Sequence, residues 1–213
     1  MNEIAGAGGE RRARSLEAAA EVFRRYGYNR TKMSDIAQLA GISRPTLYAA
    51  FSDKAAIFDA VIAAMVATEL ATIRRHLAGQ DDLKARLRYA CQSWATPGFD
   101  LVRANPDARD LFDERFDAVR AGNAAFEALL TELLQEPAST AGIGVSAADL
   151  AQMISCALQG FKRLADDTAA LGRMIDSLVT TTCAALALSA AYTGGEDTRP
   201  RRAPNGPGTA STH

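Results

Sequence analysis

Residues 31–54 read TKMSDIAQLAGISRPTLYAAFSDK. Apolar residues recur at helical spacing in two short runs. The first is Ile36, Ala37, Leu39 and Ala40; the second is Leu47, Tyr48 and Phe51. Between them lies Ala40-Gly41-Ile42, where Gly41 can take the positive-φ corner that a Cβ would penalise. Thr31 is placed to cap the first run and Ser43 the second, because a hydroxyl accepts the free N–H groups of a helix start. Pro45 falls in the first turn of the second run, where its missing N–H has no intrahelical partner to lose. The small side chain of Ala37 lets the two helices approach. The segment reads as a helix-turn-helix.

In such a motif the start of the second helix faces base edges in the DNA major groove. Ser43, Arg44 and Thr46 are the polar residues there. Arg44 can read guanine bidentately, and Thr46 can bond a base edge or a phosphate while its methyl packs. Tyr48, Lys54 and the Thr31 hydroxyl can reach phosphates, which fix register on the duplex.

Outward from this segment the periodicity stays helical. Glu10–Tyr26 forms one amphipathic helix with Gly27 as its stop. Ser52 or Asp53 caps a long helix running to about Leu77. Further helices are expected near Asp81–Ala95, Phe99–Ala104, Asp107–Gln135, Ser146–Asp166 and Ala169–Ala191, with Pro97-Gly98 as a break and Glu136–Val145 as a loop. No alternating strand pattern of useful length occurs. Residues 193–213, rich in Gly, Pro, Thr and Arg, are expected to be disordered. Alanine, 44 of 213 residues, favours helix because it loses no side-chain entropy there.

Composition narrows the function classes. Residues 10–60 hold nine Lys+Arg against six Asp+Glu, while residues 61–213 hold fifteen against eighteen. The net charge of −1 therefore conceals a mildly basic N-terminal part. Three widely spaced cysteines and two histidines supply neither a disulfide scaffold nor a metal centre. The start MNEIAGAGGERRAR lacks the apolar stretch of a signal peptide, and neither Ala55–Ile73 nor Leu178–Tyr192 makes a convincing membrane span. No phosphate-loop glycine pattern is present, and no Cys/His pair with a plausible catalytic partner. The expectation is a cytoplasmic protein without cofactor, metal, membrane partner or catalytic activity.

Leu16–Ile62, LEAAAEVFRRYGYNRTKMSDIAQLAGISRPTLYAAFSDKAAIFDAVI, resembles the DNA-binding domain of the TetR family of transcriptional regulators. The shared features are Phe23, Gly27 and Tyr28, then Asp35-Ile36-Ala37, Ala40-Gly41-Ile42-Ser43, and Thr46-Leu47-Tyr48 followed by Phe51 and Lys54. The resemblance implies an all-α homodimer of about nine helices. A three-helix head (10–56) carries the helix-turn-helix. A larger helical bundle (57–192) binds a small-molecule effector and dimerises. It further implies a repressor that holds a palindromic operator in double-stranded DNA and leaves it when the effector binds. Carried over by position, the DNA contacts are Thr31, Lys32, Ser43, Arg44, Pro45, Thr46, Tyr48 and Lys54. Ala49-Ala50 departs from the family, which often has an aromatic residue or His there. With the modest charge of the head, this departure keeps open a helical small-molecule-binding protein whose head binds DNA weakly or not at all.

The C-terminal part offers residue types rather than motifs. Its bulky side chains, Trp94, Phe99, Phe112, Phe116, Phe126, Met153 and Phe161, are the candidates for an effector pocket, since pockets between helices are mostly apolar. Pro97-Gly98, flanked by Trp94 and Phe99, is a candidate hinge. Met153, Ala157, Phe161, Ile175, Leu178 and Thr182 lie on helical stripes and are the candidates for dimerisation. The acidic run Asp107, Asp110, Asp113, Glu114 and Asp117 reads as a solvated face neighboured by Arg109, Arg115 and Arg120.

Overall fold

Alanine-rich, strand-poor patterning produces helices alone among the described residues, 2–193, of this computed structural model. The elements are α1 (Asn2–Arg30), α2 (Met33–Leu39), α3 (Arg44–Ala50), α4 (Lys54–Leu77) and α5 (Leu83–Ala104). A 3-10 segment (Pro106–Phe112) follows, then α6 (Asp117–Ala141), α7 (Ala147–Leu164) and α8 (Thr168–Thr193). Ser43, Asp53, Asp82 and Ser146 each accept a backbone N–H at a helix start. The cap of α2 is Lys32 rather than Thr31. Helix α1 begins well before Glu10, and Gly27 (φ 70°) kinks it three residues before its end. Of the expected disordered tail, Thr193 closes α8 and the rest lies outside the described residues.

Two expected breaks are absent. Helix α5 runs through Pro97, and α6 runs through Pro137 to Gly142, which ends it in the left-handed region at φ 60°. Pro97 is exposed, while Ala95 and Phe99 on either side of it are buried. The apolar stripe therefore carries the helix across the missing hydrogen bond. Leu133, Leu134 and Ala138 do the same around Pro137. Helix α5 is thus unbroken at the expected hinge Pro97-Gly98, and Gly98 makes room for the ring of Phe112, whose Cε1 would lie 2.9 Å from an added Cβ.

Burial divides into two cores. The first joins Val22 and Phe23 of α1, Ile36 of α2, Leu47 of α3 and Ile57, Phe58 and Val61 of α4. It also takes in Ala108 and Leu111 of the 3-10 segment and Val119 of α6, so the head does not pack by itself. The second core lies between α4, α5, α6, α7 and α8 and includes Leu70, Leu87, Phe126, Leu130, Ile154 and Ile175. Helix α4 contributes to both cores. Gly122 brings α6 close to it, since an added Cβ would sit 2.7 Å from Val66 Cγ2.

Because Pro97 is exposed in the middle of a helix held by its neighbours, Pro97→Ala restores an N–H at no packing cost. It is expected to stabilise the fold by about 1–3 kcal/mol. Thermal unfolding should show a raised Tm with unchanged helix content.

Candidate nucleic-acid interface

The helix-turn-helix is assembled by the local chemistry its sequence indicates. The Ile42 N–H donates to the Ala37 carbonyl (3.1 Å) and closes the turn. Gly41 adopts φ 65° in open space, so backbone conformation rather than crowding requires glycine. Leu47 is fully buried and pins α3 to the core. The Thr46 N–H donates to Ser43 Oγ (3.2 Å), and the two hydroxyl oxygens lie 2.7 Å apart. These two side chains thus cap α3 first and meet any ligand second.

Lys32, Arg44, Pro45 and Tyr48 are exposed. Arg44 and Tyr48 have no hydrogen bond or ion pair to any described residue. A guanidinium and a phenol held free at the start and outer side of a short, core-anchored helix form a donor surface suited to base edges and phosphates.

Thr31 and Lys54 do different work from that expected. Thr31 is only 2% exposed, and its hydroxyl donates to the Gly27 carbonyl (2.6 Å). Lys54 Nζ donates to the carbonyls of Tyr28 (2.8 Å) and Thr31 (3.1 Å) and sits 4.3 Å above the Tyr28 ring. Both side chains therefore close the corner between α1 and α2 instead of reaching outward. Arg12, which sequence reasoning missed, donates to the Ala50 carbonyl (3.1 Å) and stacks over Phe51. It thus caps the C-terminal end of α3, where a cation is favoured.

The acidic run is not merely a solvated face. Where Gly27 kinks α1, the N–H groups of Tyr28 and Asn29 donate to the two oxygens of Asp110 (2.8 and 2.9 Å). Asn105 Nδ2 donates to the carbonyls of Arg24 and Arg25, both at 2.8 Å. Arg30 pairs with Asp107. A Cβ on Gly27 would fall 2.2 Å from the Asp107 carbonyl oxygen, so both φ and space demand glycine. Beside this clamp, Tyr28, Phe58 and Phe116 pack ring to ring with centroids 4.7–4.9 Å apart. Burial pushes the Tyr28 phenol up from its ordinary range, and Asp53 and Asp59 reinforce the shift.

Of the expected pocket residues, the structure brings Trp94 and Phe126 together, stacked with centroids 4.6 Å apart. Phe99 is core, with Arg103 over its ring. Phe116 belongs to the head junction, and Phe112 covers Gly98 at the surface. Met153 is 62% exposed and lines no interior space. Phe161 borders an open groove with Met174, Leu178 and Thr181. Among the dimerisation candidates, Ile175 is fully buried within the protomer and is unavailable to a partner, because its side of α8 faces the body core. Met153, Ala157, Phe161, Leu178 and Thr182 retain exposure.

The clamp is expected to carry measurable stability. Asp110→Ala leaves two N–H groups without their carboxylate and should cost about 1–2 kcal/mol. Gly27→Ala meets both strain and a backbone clash and should cost about 1–3 kcal/mol or more. Denaturant unfolding gives both values. Faster amide exchange at Tyr28 and Asn29 in Asp110→Ala locates the loss, and unchanged exchange there counts against the clamp.

Residues 16–61 match the family described as bacterial regulatory proteins, tetR family. Over 93 residues the chain is 39% identical to the HTH-type transcriptional activator FasR of Mycolicibacterium smegmatis, a stretch covering 44% of this chain and 41% of that protein. Over 53 residues it is 42% identical to the HTH-type transcriptional regulator TtgR of Pseudomonas putida, 25% of each chain. The matched stretches thus span less than half the length of these relatives. The fold is similar to that of the fatty acid degradation regulator FadR from Bacillus halodurans (TM-score 0.61, 18% identity, 79% of this chain and 94% of that one). It is also similar to FadR from Bacillus subtilis in complex with stearoyl-CoA (TM-score 0.59, 18% identity, 84% and 97%). The N-terminal helix-turn-helix segment, residues 16–61, is thus similar to that of the tetR family of bacterial regulatory proteins.

Proposed function

We propose that the protein is an effector-responsive transcriptional regulator that binds double-stranded operator DNA as a homodimer in the cytoplasm. The observation that carries this reading is the free, exposed pair Arg44 and Tyr48 on a helix fixed by Leu47 and Arg12. Side chains held ready without internal partners favour a DNA-reading head over an inactive one. Lys32, Ser43, Pro45 and Thr46 complete the proposed contact surface. Ala49-Ala50 adds no polar contact to it.

The proposed dimer face is the outer side of α7 and α8. Met153 (62%), Leu164 (72%) and Leu188 (72%) are large apolar side chains left in water on these two helices, which also form the groove bordered by Phe161 and Leu178. Exposed apolar surface of this extent marks an interface. A two-fold dimer places two heads at one separation, which suits a palindrome with half-sites about one helical turn apart.

Repression relieved by an effector is the first reading. The FasR relative, named as an activator, favours a second in which the same head recruits rather than blocks. The FadR structure holding stearoyl-CoA makes an acyl compound one candidate effector for the body.

Fluorescence anisotropy with DNA flanking the protein's own gene, against random duplex, tests the DNA reading. Preference for the flanking DNA, steeply weakened by salt, is expected. Arg44→Ala should weaken specific binding by about 1–3 kcal/mol with the fold intact. Equal binding to random DNA overturns the reading. Met153→Glu with Leu188→Glu should shift sedimentation from dimer to monomer at unchanged helix content.

A further inference from the structure

Helix α3 ends in Ala49-Ala50, two side chains without a donor. That end is by itself unfavourable to a phosphate. Its last carbonyls carry the negative end of the helix dipole, and Asp53 stands two residues beyond Phe51. A cation from another helix lies against it. Arg12 of α1, 38 residues away in the chain, donates through Nη1 to the Ala50 carbonyl (3.1 Å). The centre of its guanidinium sits 4.4 Å from the centroid of the Phe51 ring. Phe51 is buried beneath it, while Arg12 itself is exposed.

This guanidinium is only partly used. It carries N–H donors arranged as a planar fork that matches a phosphate as well as a carboxylate. The Ala50 carbonyl takes one of them, and Arg12 has no other hydrogen bond and no ion pair among the described residues. The Phe51 ring and the Ala50 carbonyl fix its plane, so the remaining donors are held in place before any ligand arrives. Their place in the head matters. Arg44 opens α3 and Arg12 lies against its close. A helix of seven residues is about 10 Å long, and the major groove is about 12 Å wide. With the start of α3 at base edges, its other end comes to the rim of the groove, where the phosphates run.

We propose that Arg12 is a DNA-phosphate contact, supplied by α1 where Ala49 and Ala50 of α3 supply none. Its charge offsets the negative end of α3, and its free N–H groups meet the strand that borders the groove. The contact carries no sequence information: Arg44 reads bases, and Arg12 holds the backbone beside them. This inference rests on the DNA-reading head proposed above.

The test is the salt dependence of DNA binding by the full chain, measured by anisotropy on a random duplex and on DNA flanking the protein's own gene. Arg12→Gln should flatten the plot of log affinity against log salt by about 0.9 for each head on the DNA, the share of one phosphate. At roughly 0.1 M NaCl this is about a tenfold loss per head, alike on both duplexes. Arg12→Lys keeps the charge without the fork and should retain at least half of that slope. Arg14→Gln removes an equally exposed arginine two residues along α1, which points to a different side, and should leave the slope near its wild-type value. Arg12 is exposed and Gln keeps a donor for the Ala50 carbonyl, so the fold should persist; circular dichroism checks this. A purely structural cap would weaken binding without moving the slope. An unchanged slope in Arg12→Gln, equal losses in Arg12→Gln and Arg12→Lys, or equal losses in Arg12→Gln and Arg14→Gln each overturns the contact. Wild-type protein with no salt-dependent affinity for either duplex overturns the contact and the regulator reading together. A flattened slope in Arg12→Gln, with no wild-type preference for the flanking DNA, supports the contact and removes the regulator reading.

Discussion

One carboxylate organises the junction on which the head depends. Where α1 kinks at Gly27, the helix leaves donors on one side of the break and acceptors on the other. Asp110 takes the Tyr28 and Asn29 N–H groups, and Asn105 covers the Arg24 and Arg25 carbonyls. Asn105 caps one short 3-10 segment and Asp110 lies within it. The break and the segment therefore need each other: without the segment, the kink would expose unpaired backbone groups, and without the kink, Asp110 would have nothing to accept. Gly27 makes this possible, because only a hydrogen fits against the Asp107 carbonyl.

The same corner is tied from the DNA-facing side. Lys54 gathers the Tyr28 and Thr31 carbonyls, and Thr31 returns a bond to Gly27. Arg12 then fixes the far end of α3. Rigid placement continues from the 3-10 segment to the exposed Arg44. The segment is bounded in the chain by α5 and α6, both of which pack in the body core. A change in the separation of those helices bears on residues 105–116, which join them, as well as on α4, and the ring contacts of Phe116 with Tyr28 and Phe58 offer little slack, since packed interiors transmit strain.

Legibility in the sequence followed the range of the interaction. Gly41, Ser43, Pro45 and Leu47 announce the helix-turn-helix because each acts within a few residues of itself. Thr31 and Lys54 were visible as polar residues beside the motif. Their partners, however, are backbone carbonyls that come near only after α1 kinks, and no spacing rule encodes that. Asp107 and Asp110 were hidden for the opposite reason. Arginines nearby at helical spacing gave the acidic run a sufficient local explanation, while the actual partners lie about 80 residues upstream. Pro97 and Pro137 suggest breaks by propensity, and the helices nevertheless run through both, because buried neighbours on both sides outweigh a single lost hydrogen bond.

The division of the last helix shows why the body could be classified but not partitioned from sequence. Leu171, Ile175, Val179 and Leu186 point into the protomer, while Met174, Leu178 and Thr181 border the open groove one step round the same helix. Both sets are apolar enough to be buried, and alanines fill the space between them. A hydropathy pattern records that a side chain prefers to leave water; it does not record which surface receives it. Ile175 and Leu178, three residues apart, are therefore equal candidates for a partner, and the fold buries the first fully in the core and leaves the second half-buried at its edge, bordering the groove. A soluble bundle needs only one buried stripe per helix. The second stripe on α8 is only partly covered by the protomer's own core, and it is this half-covered face that the proposed dimer would use.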